Sequence, residues 1–177
     1  MSAARRIGAA VAVIVAIAAL SWEPRAIEAA GRRPVVRAEI ARRVARVGAT
    51  VVVTIQIQDA RDVGSVPFTL LYDPTILELL PAAAKEGPFL RRDHAATTFL
   101  VSSGSAPGAA TGVIVGLSRL GSERGARGRG VLCRLSFRAH APGISAISFS
   151  RAAILDPKAL PLAGDFKGAS VTVKGSR

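Results

Sequence analysis

The chain has 177 residues, with 24 Lys+Arg against 12 Asp+Glu, a formal charge of +12; that length suits one core-bearing domain and a leader. Its single cysteine, Cys133, excludes an intrachain disulfide and a thiolate metal cluster. Half of the residues are apolar, mostly Ala and Val, and frequent Gly and Pro break them into short runs, which favours an all-β sandwich over a helical bundle. Arg5-Arg6 precede an uncharged run from Ile7 to Trp22. This is a basic region followed by an apolar region of secretory-signal length, short for a membrane span. Residues 1–30 are therefore expected to be a signal peptide, cleaved after Ser21 or Ala29, or an N-terminal anchor helix. Either way the remainder is expected to be exported: periplasmic, cell-surface or extracellular. Residues 31–34 are a linker, 35–174 the sandwich, and 175–177 a tail.

Val35 to Ala41 is predicted to be an edge strand, followed by a turn and a second strand near Val44–Val47. Ala49 to Gln58 alternates, with Val51, Val53, Ile55 and Ile57 on one face and Thr50, Val52, Thr54, Gln56 and Gln58 on the other. Asp59 to Gly64 is predicted as a turn. Pro67 to Tyr72 is the next strand, Phe68, Leu70 and Tyr72 alternating with Pro67, Thr69 and Leu71, and Asp73-Pro74 stops it, since proline has no N–H for a ladder and Asp favours a turn start. Thr75-Ile-Leu-Glu78 returns Ile76 or Leu77 to the core. Phe89-Leu90 is an apolar anchor ahead of the charged Arg91-Arg92-Asp93-His94.

Thr97 to Ser102 is a strand with Phe99 and Val101 on one face. Gly104 to Gly112 is a loop. Val113 to Leu117 is predicted to be a central strand, apolar on both faces. Gly121 to Gly130 is predicted to be the most flexible and most basic loop. Leu132 to Ala139 places Cys133, Leu135, Phe137 and Ala139 inward and Arg134, Ser136 and Arg138 outward. Ile144 to Ser150 is a strand, Ile154-Leu155 leads into a second Asp-Pro turn at Asp156-Pro157, Pro161 to Gly164 is a loop, and Ala169 to Lys174 closes the domain. Eight or nine short strands without a long helix form the pattern of a sandwich or jelly roll.

Read together, these landmarks resemble the cohesin domain family. Gly48-Ala-Thr-Val-Val-Val-Thr-Ile55 and Val66-Pro-Phe-Thr-Leu-Leu-Tyr-Asp-Pro-Thr-Ile-Leu-Glu78 carry the likeness, with Gly130-Val-Leu-Cys-Arg-Leu-Ser-Phe137, Pro142-Gly-Ile-Ser145 and Gly168-Ala-Ser-Val-Thr-Val173 following in the same order. The resemblance runs from about Val35 to Lys174. It implies a two-sheet jelly-roll β-sandwich of about nine strands, of the superfamily that also holds cellulose-binding modules. It further implies a non-catalytic module that binds a dockerin-like protein through one sheet face, in an extracellular or envelope assembly.

The residues themselves point away from catalysis. There is no phosphate loop, nucleophile elbow or zincin motif. His94 and His140 are far apart, and the acids Asp59, Asp62, Asp73, Asp156 and Asp165 sit at turns. No enzyme activity and no cofactor are expected; a turn calcium site stays open, without an EF-hand ladder. Tyr72, Asp73 and Pro74 are assigned as a structural turn, with Asp73 capping it. Arg124, Arg127 and Arg129 are the candidate binding residues: they either grip an anionic partner or form a solvated loop. No aromatics interleave them, so no specific nucleic-acid binding is expected. The partner is a protein, either dockerin-like or an envelope or secretion component, or alternatively a polysaccharide. Membrane contact is expected only through an uncleaved N-terminal segment.

Overall fold

The structure, a computed structural model, describes residues 32–104 and 112–175. The expected leader at 1–30 and the middle of the loop between Gly104 and Gly112 lie outside the described residues.

The elements in chain order are β1 (Val35–Ile40), β2 (Val44–Arg46), β3 (Thr50–Val63), β4 (Phe68–Leu71), β5 (Leu77–Leu79), β6 (Lys85–Glu86), β7 (Thr97–Gly104) and β8 (Gly112–Arg119). There follow β9 (Ala126–Ala139), β10 (Gly143–Ser150), β11 (Ile154–Leu155), β12 (Pro161–Leu162), β13 (Asp165–Lys167) and β14 (Ala169–Lys174). Two sheets face each other. One has the order β13-β1-β3-β9-β5, with β6 also on β9; the other has the order β2-β14-β10-β4-β8-β7; β11 and β12 form a small ribbon. No helix among the described residues is long and apolar enough to cross a membrane.

Period-two alternation builds the space between the sheets. β3 contributes Val51, Val53, Ile55 and Ile57, and β9 answers with Cys133, Leu135 and Phe137, all buried. The second sheet contributes Phe68 and Leu70 from β4, Val113, Val115 and Leu117 from β8, and Ile147 from β10. Each large side chain enclosed in this way stabilises the fold by about 1.5–3 kcal/mol. Phe89 and Leu90 are buried as well, and they plug the end of the sandwich next to β9.

Four local expectations change. The segment Asp59–Gly64 is largely strand: β3 runs on to Val63 through register shifts, with Asp59 and Asp62 in the left-handed region at φ 52 and 59. Asp enters that region more readily than most residues, and Asp62 accepts the Gly125 N–H across the gap at 2.8 Å, so the strand kinks without ending. Opposite it, the basic segment Gly121–Gly130 is loop only up to Gly125, and β9 begins at Ala126. Gly128, at φ +93, takes a backbone geometry other residues avoid. A side chain on Gly125 would fall on the Asp62 backbone, so the two kinked strands approach there as closely as two backbones can.

The third change concerns β8. Its inner residues Val113, Val115 and Leu117 are buried, but Ile114 on the other face is 54% exposed. An apolar run of this kind does not distinguish a doubly covered strand from one whose outer face lies open. The predicted loop at Pro161–Gly164 contains β12, and β13 adds a parallel edge to β1.

Candidate binding surface

Tyr72-Asp73-Pro74 forms the corner between β4 and β5. Asp73 Oδ1 accepts hydrogen bonds from the Thr75 backbone N–H (2.8 Å) and the Thr75 hydroxyl (2.6 Å). The Asp73 carbonyl accepts from the N–H groups of Ile76 (3.2 Å) and Leu77 (3.0 Å). Its own N–H donates to Oγ of the buried Ser145 on β10, at 3.0 Å. The Thr75 hydroxyl, then the Thr75 N–H, hold the Asp73 carboxyl below the usual carboxylate range, and His140 adds a smaller pull in the same direction. Tyr72 packs edge-on against Phe137 with ring centroids 5.0 Å apart. Burial pushes its phenol up. The corner thus ties β4, β5 and β10 together.

The basic residues separate into two groups. Arg124 lies in the β8–β9 loop, whereas Arg127 and Arg129 stand on β9. Arg124 and Arg127 share a cleft of about 720 Å³ with Arg92, Asp93, Arg119 and Gly125; Arg129 is outside its lining. Arg92 donates to the carbonyls of Arg127 (2.9 Å) and Arg129 and stacks on Phe89, its guanidinium carbon 5.1 Å from the ring centre. His94 and His140 are exposed and lie in different connections, and no group of three or more His, Cys, Asp or Glu that could hold a metal occurs among the described residues.

The two outer faces of the sandwich differ in kind. On the β1-β3-β9-β5 sheet, Arg37 lies beside Gln56, Glu39 beside Thr54, Thr54 beside Arg134, and Glu78 beside Arg138. Gln56 also donates to the Glu39 carboxylate at 2.8 Å. This is a mixed-charge, solvated face. The outer face of β10-β4-β8-β7 carries no Lys, Arg, Asp or Glu. Its outward residues are Ile144, Ala146 and Ser148 of β10, Thr69 and Leu71 of β4, Ile114, Gly116 and Ser118 of β8, and Thr98, Leu100 and Ser102 of β7.

Register places these side chains in one continuous patch. Ile114 has Ser102 on one side and Thr69 on the other; Leu71 lies between Gly112 and Ser148; Leu100 faces Gly116. Leu100 is 65% exposed and Ile144 68%. For a chain of charge +12, an uncharged sheet face with Leu and Ile standing out of it is a surface fitted to be covered. None of these residues is picked out by the sequence reading. The available signal was the row of apolar residues at the wet-face positions of four consecutive partners, and only the register assembles that row.

A jelly-roll sandwich with one bare, uncharged sheet face defines a module that presents a surface. The cohesin-domain family profile matches residues 36–163, and the chain belongs to the cohesin domain family. Solved structures agree in fold. A non-cellulosomal cohesin from the hyperthermophilic archaeon Archaeoglobus fulgidus is 19% identical with a TM-score of 0.61, over 80% of this chain and 91% of that one. The structure of a type I cohesin–dockerin complex from Clostridium thermocellum matches at 18% identity and a TM-score of 0.64, over 81% and 95%. A type II cohesin domain from the cellulosome of Acetivibrio cellulolyticus matches at 14% and 0.63, over 78% and 95%. No curated protein matches the chain.

Proposed function

We propose that this chain is a non-catalytic, exported binding module whose β-sandwich spans residues 35–174 and docks a dockerin-like protein on the outer face of β10-β4-β8-β7. The observation that carries the reading is the uncharged face itself. A flat sheet surface with Leu71, Leu100, Ile114 and Ile144 among small residues has shape and apolar area to offer and no groups for chemistry. The dockerin bound in the Clostridium thermocellum complex supports the class of partner. Export is supported by Arg5-Arg6 and the apolar run after them; mass spectrometry of the mature N-terminus tests it, and an intact Met1 speaks against cleavage.

Sugar binding by stacking needs flat aromatics in solvent. Among the described residues Phe68, Phe89 and Phe137 are buried, and Tyr72, Phe99, Phe149 and Phe166 pack against the core. The face therefore favours a protein partner over a polysaccharide.

The test is titration calorimetry of the chain against a panel of dockerin modules. Burial of one Leu or Ile is worth about 1.5–3 kcal/mol, so Ile114→Asp or Leu100→Asp is expected to weaken binding by about 10–100-fold or more. Val52→Asp is the control: Val52 is 41% exposed on the opposite sheet, and its substitution is expected to leave affinity unchanged. No binding at micromolar concentration, or equal loss from Ile114→Asp and Val52→Asp, overturns the assignment.

A further inference from the structure

The cleft beside the uncharged face has a chemistry of its own. Its lining holds four arginines, Arg92, Arg119, Arg124 and Arg127, against the one carboxylate of Asp93. Arg119 continues the inward row Val113, Val115, Leu117 at the end of β8, and its main-chain N–H is fixed on the Gly64 carbonyl at 2.9 Å. Its side chain is therefore aimed into the end of the sandwich. There its Nε and Nη1 atoms are buried and find no hydrogen-bond partner among the described residues. A guanidinium cannot shed its charge to escape this. Leaving charged donors desolvated and unpaired is costly, so an acceptor that reaches the Arg119 guanidinium from the cleft would relieve that cost.

The surrounding contacts hold the cleft in shape. Arg92 is held by the carbonyls of Arg127 and Arg129 and by the Phe89 ring, and so fixes the start of β9. The Gly125 N–H donates to Asp62 Oδ1 at 2.8 Å, and the Ser122 hydroxyl donates to the Arg124 carbonyl at 2.7 Å, which shapes the loop carrying Arg124. Arg124 and Arg127 are left exposed in its lining. One held guanidinium (Arg92), two exposed ones (Arg124 and Arg127) and the buried Arg119 donor pair match an acceptor with several oxygens and more than one negative charge.

We propose that this cleft binds a tetrahedral oxyanion, a phosphate or sulfate group, free or as a monoester on a small molecule, with Arg119 as its floor and Arg124 and Arg127 closing over it. The carboxylate of an acidic side chain, planar and singly charged, leaves more of the arginine charge uncompensated.

The experiment titrates the chain with inorganic phosphate, sulfate and phenyl phosphate by calorimetry, with acetate and chloride at matched ionic strength. Saturable binding of phosphate or sulfate, but not of acetate or chloride, is expected. Binding of phenyl phosphate without inorganic phosphate identifies the ester as the ligand form. The exposed pair Arg124→Gln/Arg127→Gln is expected to lower affinity at least about tenfold. Because Arg119→Gln acts on a buried group, the Arg119 Nε–H resonance is followed by NMR in the unaltered chain and is expected to shift with the same saturation curve. An unmoved Arg119 resonance, unchanged affinity in the double variant, or an equal response to chloride and acetate overturns the proposal.

Discussion

Ser145 gives the sharpest test of how the Tyr72-Asp73-Pro74 corner is held. It is a wholly buried hydroxyl residue on β10, and its Oγ accepts the Asp73 N–H at 3.0 Å. Ser145→Ala removes one hydrogen bond and leaves the Asp73 donor facing an apolar wall. A net hydrogen bond contributes about 0.5–1.5 kcal/mol, and a stranded donor raises the loss to about 1–3 kcal/mol. In a domain of this size that corresponds to a fall in Tm of roughly 3–10 °C. The assay is urea unfolding followed by circular dichroism, with the slope m compared so that only a midpoint shift is read as stability. Ser148→Ala, on the same strand but exposed on its outer face, is the control and is expected to stay within about 0.5 kcal/mol of the parent. If Ser145→Ala unfolds at the same urea concentration as Ser148→Ala, the corner is held by packing alone and the reasoning fails.

Other expectations follow from single groups. Thr75→Val keeps the backbone N–H but deletes the hydroxyl that contributes most to lowering the Asp73 carboxyl, so that pKa is expected to rise toward its ordinary 3.8 in a carboxyl NMR titration. Since the folded value is depressed, the contribution is complete above 3.8 and is lost as pH falls through the folded pKa; the parent should lose more stability on acidification than the variant, and an unmoved Asp73 resonance refutes the assignment. Cys133 is buried and its thiol is pushed up to about 12, so a thiol reagent at neutral pH is expected to label it only after unfolding. Rapid labelling of the native chain would place it in solvent. The same shift means that stability present below the unfolded thiol value of 9.0 is lost as pH rises toward 12. Gly125→Ala forces a methyl onto the Asp62 backbone and is expected to cost about 1–3 kcal/mol or more in the same unfolding assay; a neutral result would mean the kinked strands are looser than described.

Much of the fold could be read from residue order because the strands alternate. Val51 to Ile57 and Cys133 to Ala139 declare their buried faces, and Tyr72-Asp73-Pro74 declares its corner, through side chains that act within a few residues of themselves. The lengths of β3 and β9 could not be read in this way. Asp59, Asp62, Gly128 and Gly130 look like turn residues, and they do bend the backbone, but pairing across the ladder carries the strands through. β13, three residues long, exists only because β1 offers it an edge. The binding surface was hidden for a related reason. Ile114 between Val113 and Val115 reads as a wholly buried strand, and it is exposed only because no second layer covers β8 among the described residues. The arginines of the cleft come from three separate stretches of chain, so composition shows the charge but not its convergence.

The edges of the two sheets have a mechanical consequence. β1 and β13 run parallel, with Val35 beside Asp165, and β2 and β14 run parallel, with Arg46 beside Lys174. The first and last segments of the sandwich thus travel side by side in the same direction, each crossing from one sheet to the other. Val35 and Lys174 consequently lie at opposite ends of that double track, about ten residues or roughly 30 Å apart along the strands. Tension applied through the two termini would load these ladders lengthwise, stretching many hydrogen bonds together instead of peeling them one at a time. Such a module would transmit a pull through its outermost ribbons while the uncharged face, borne mainly on the inner strands of its sheet, kept its shape.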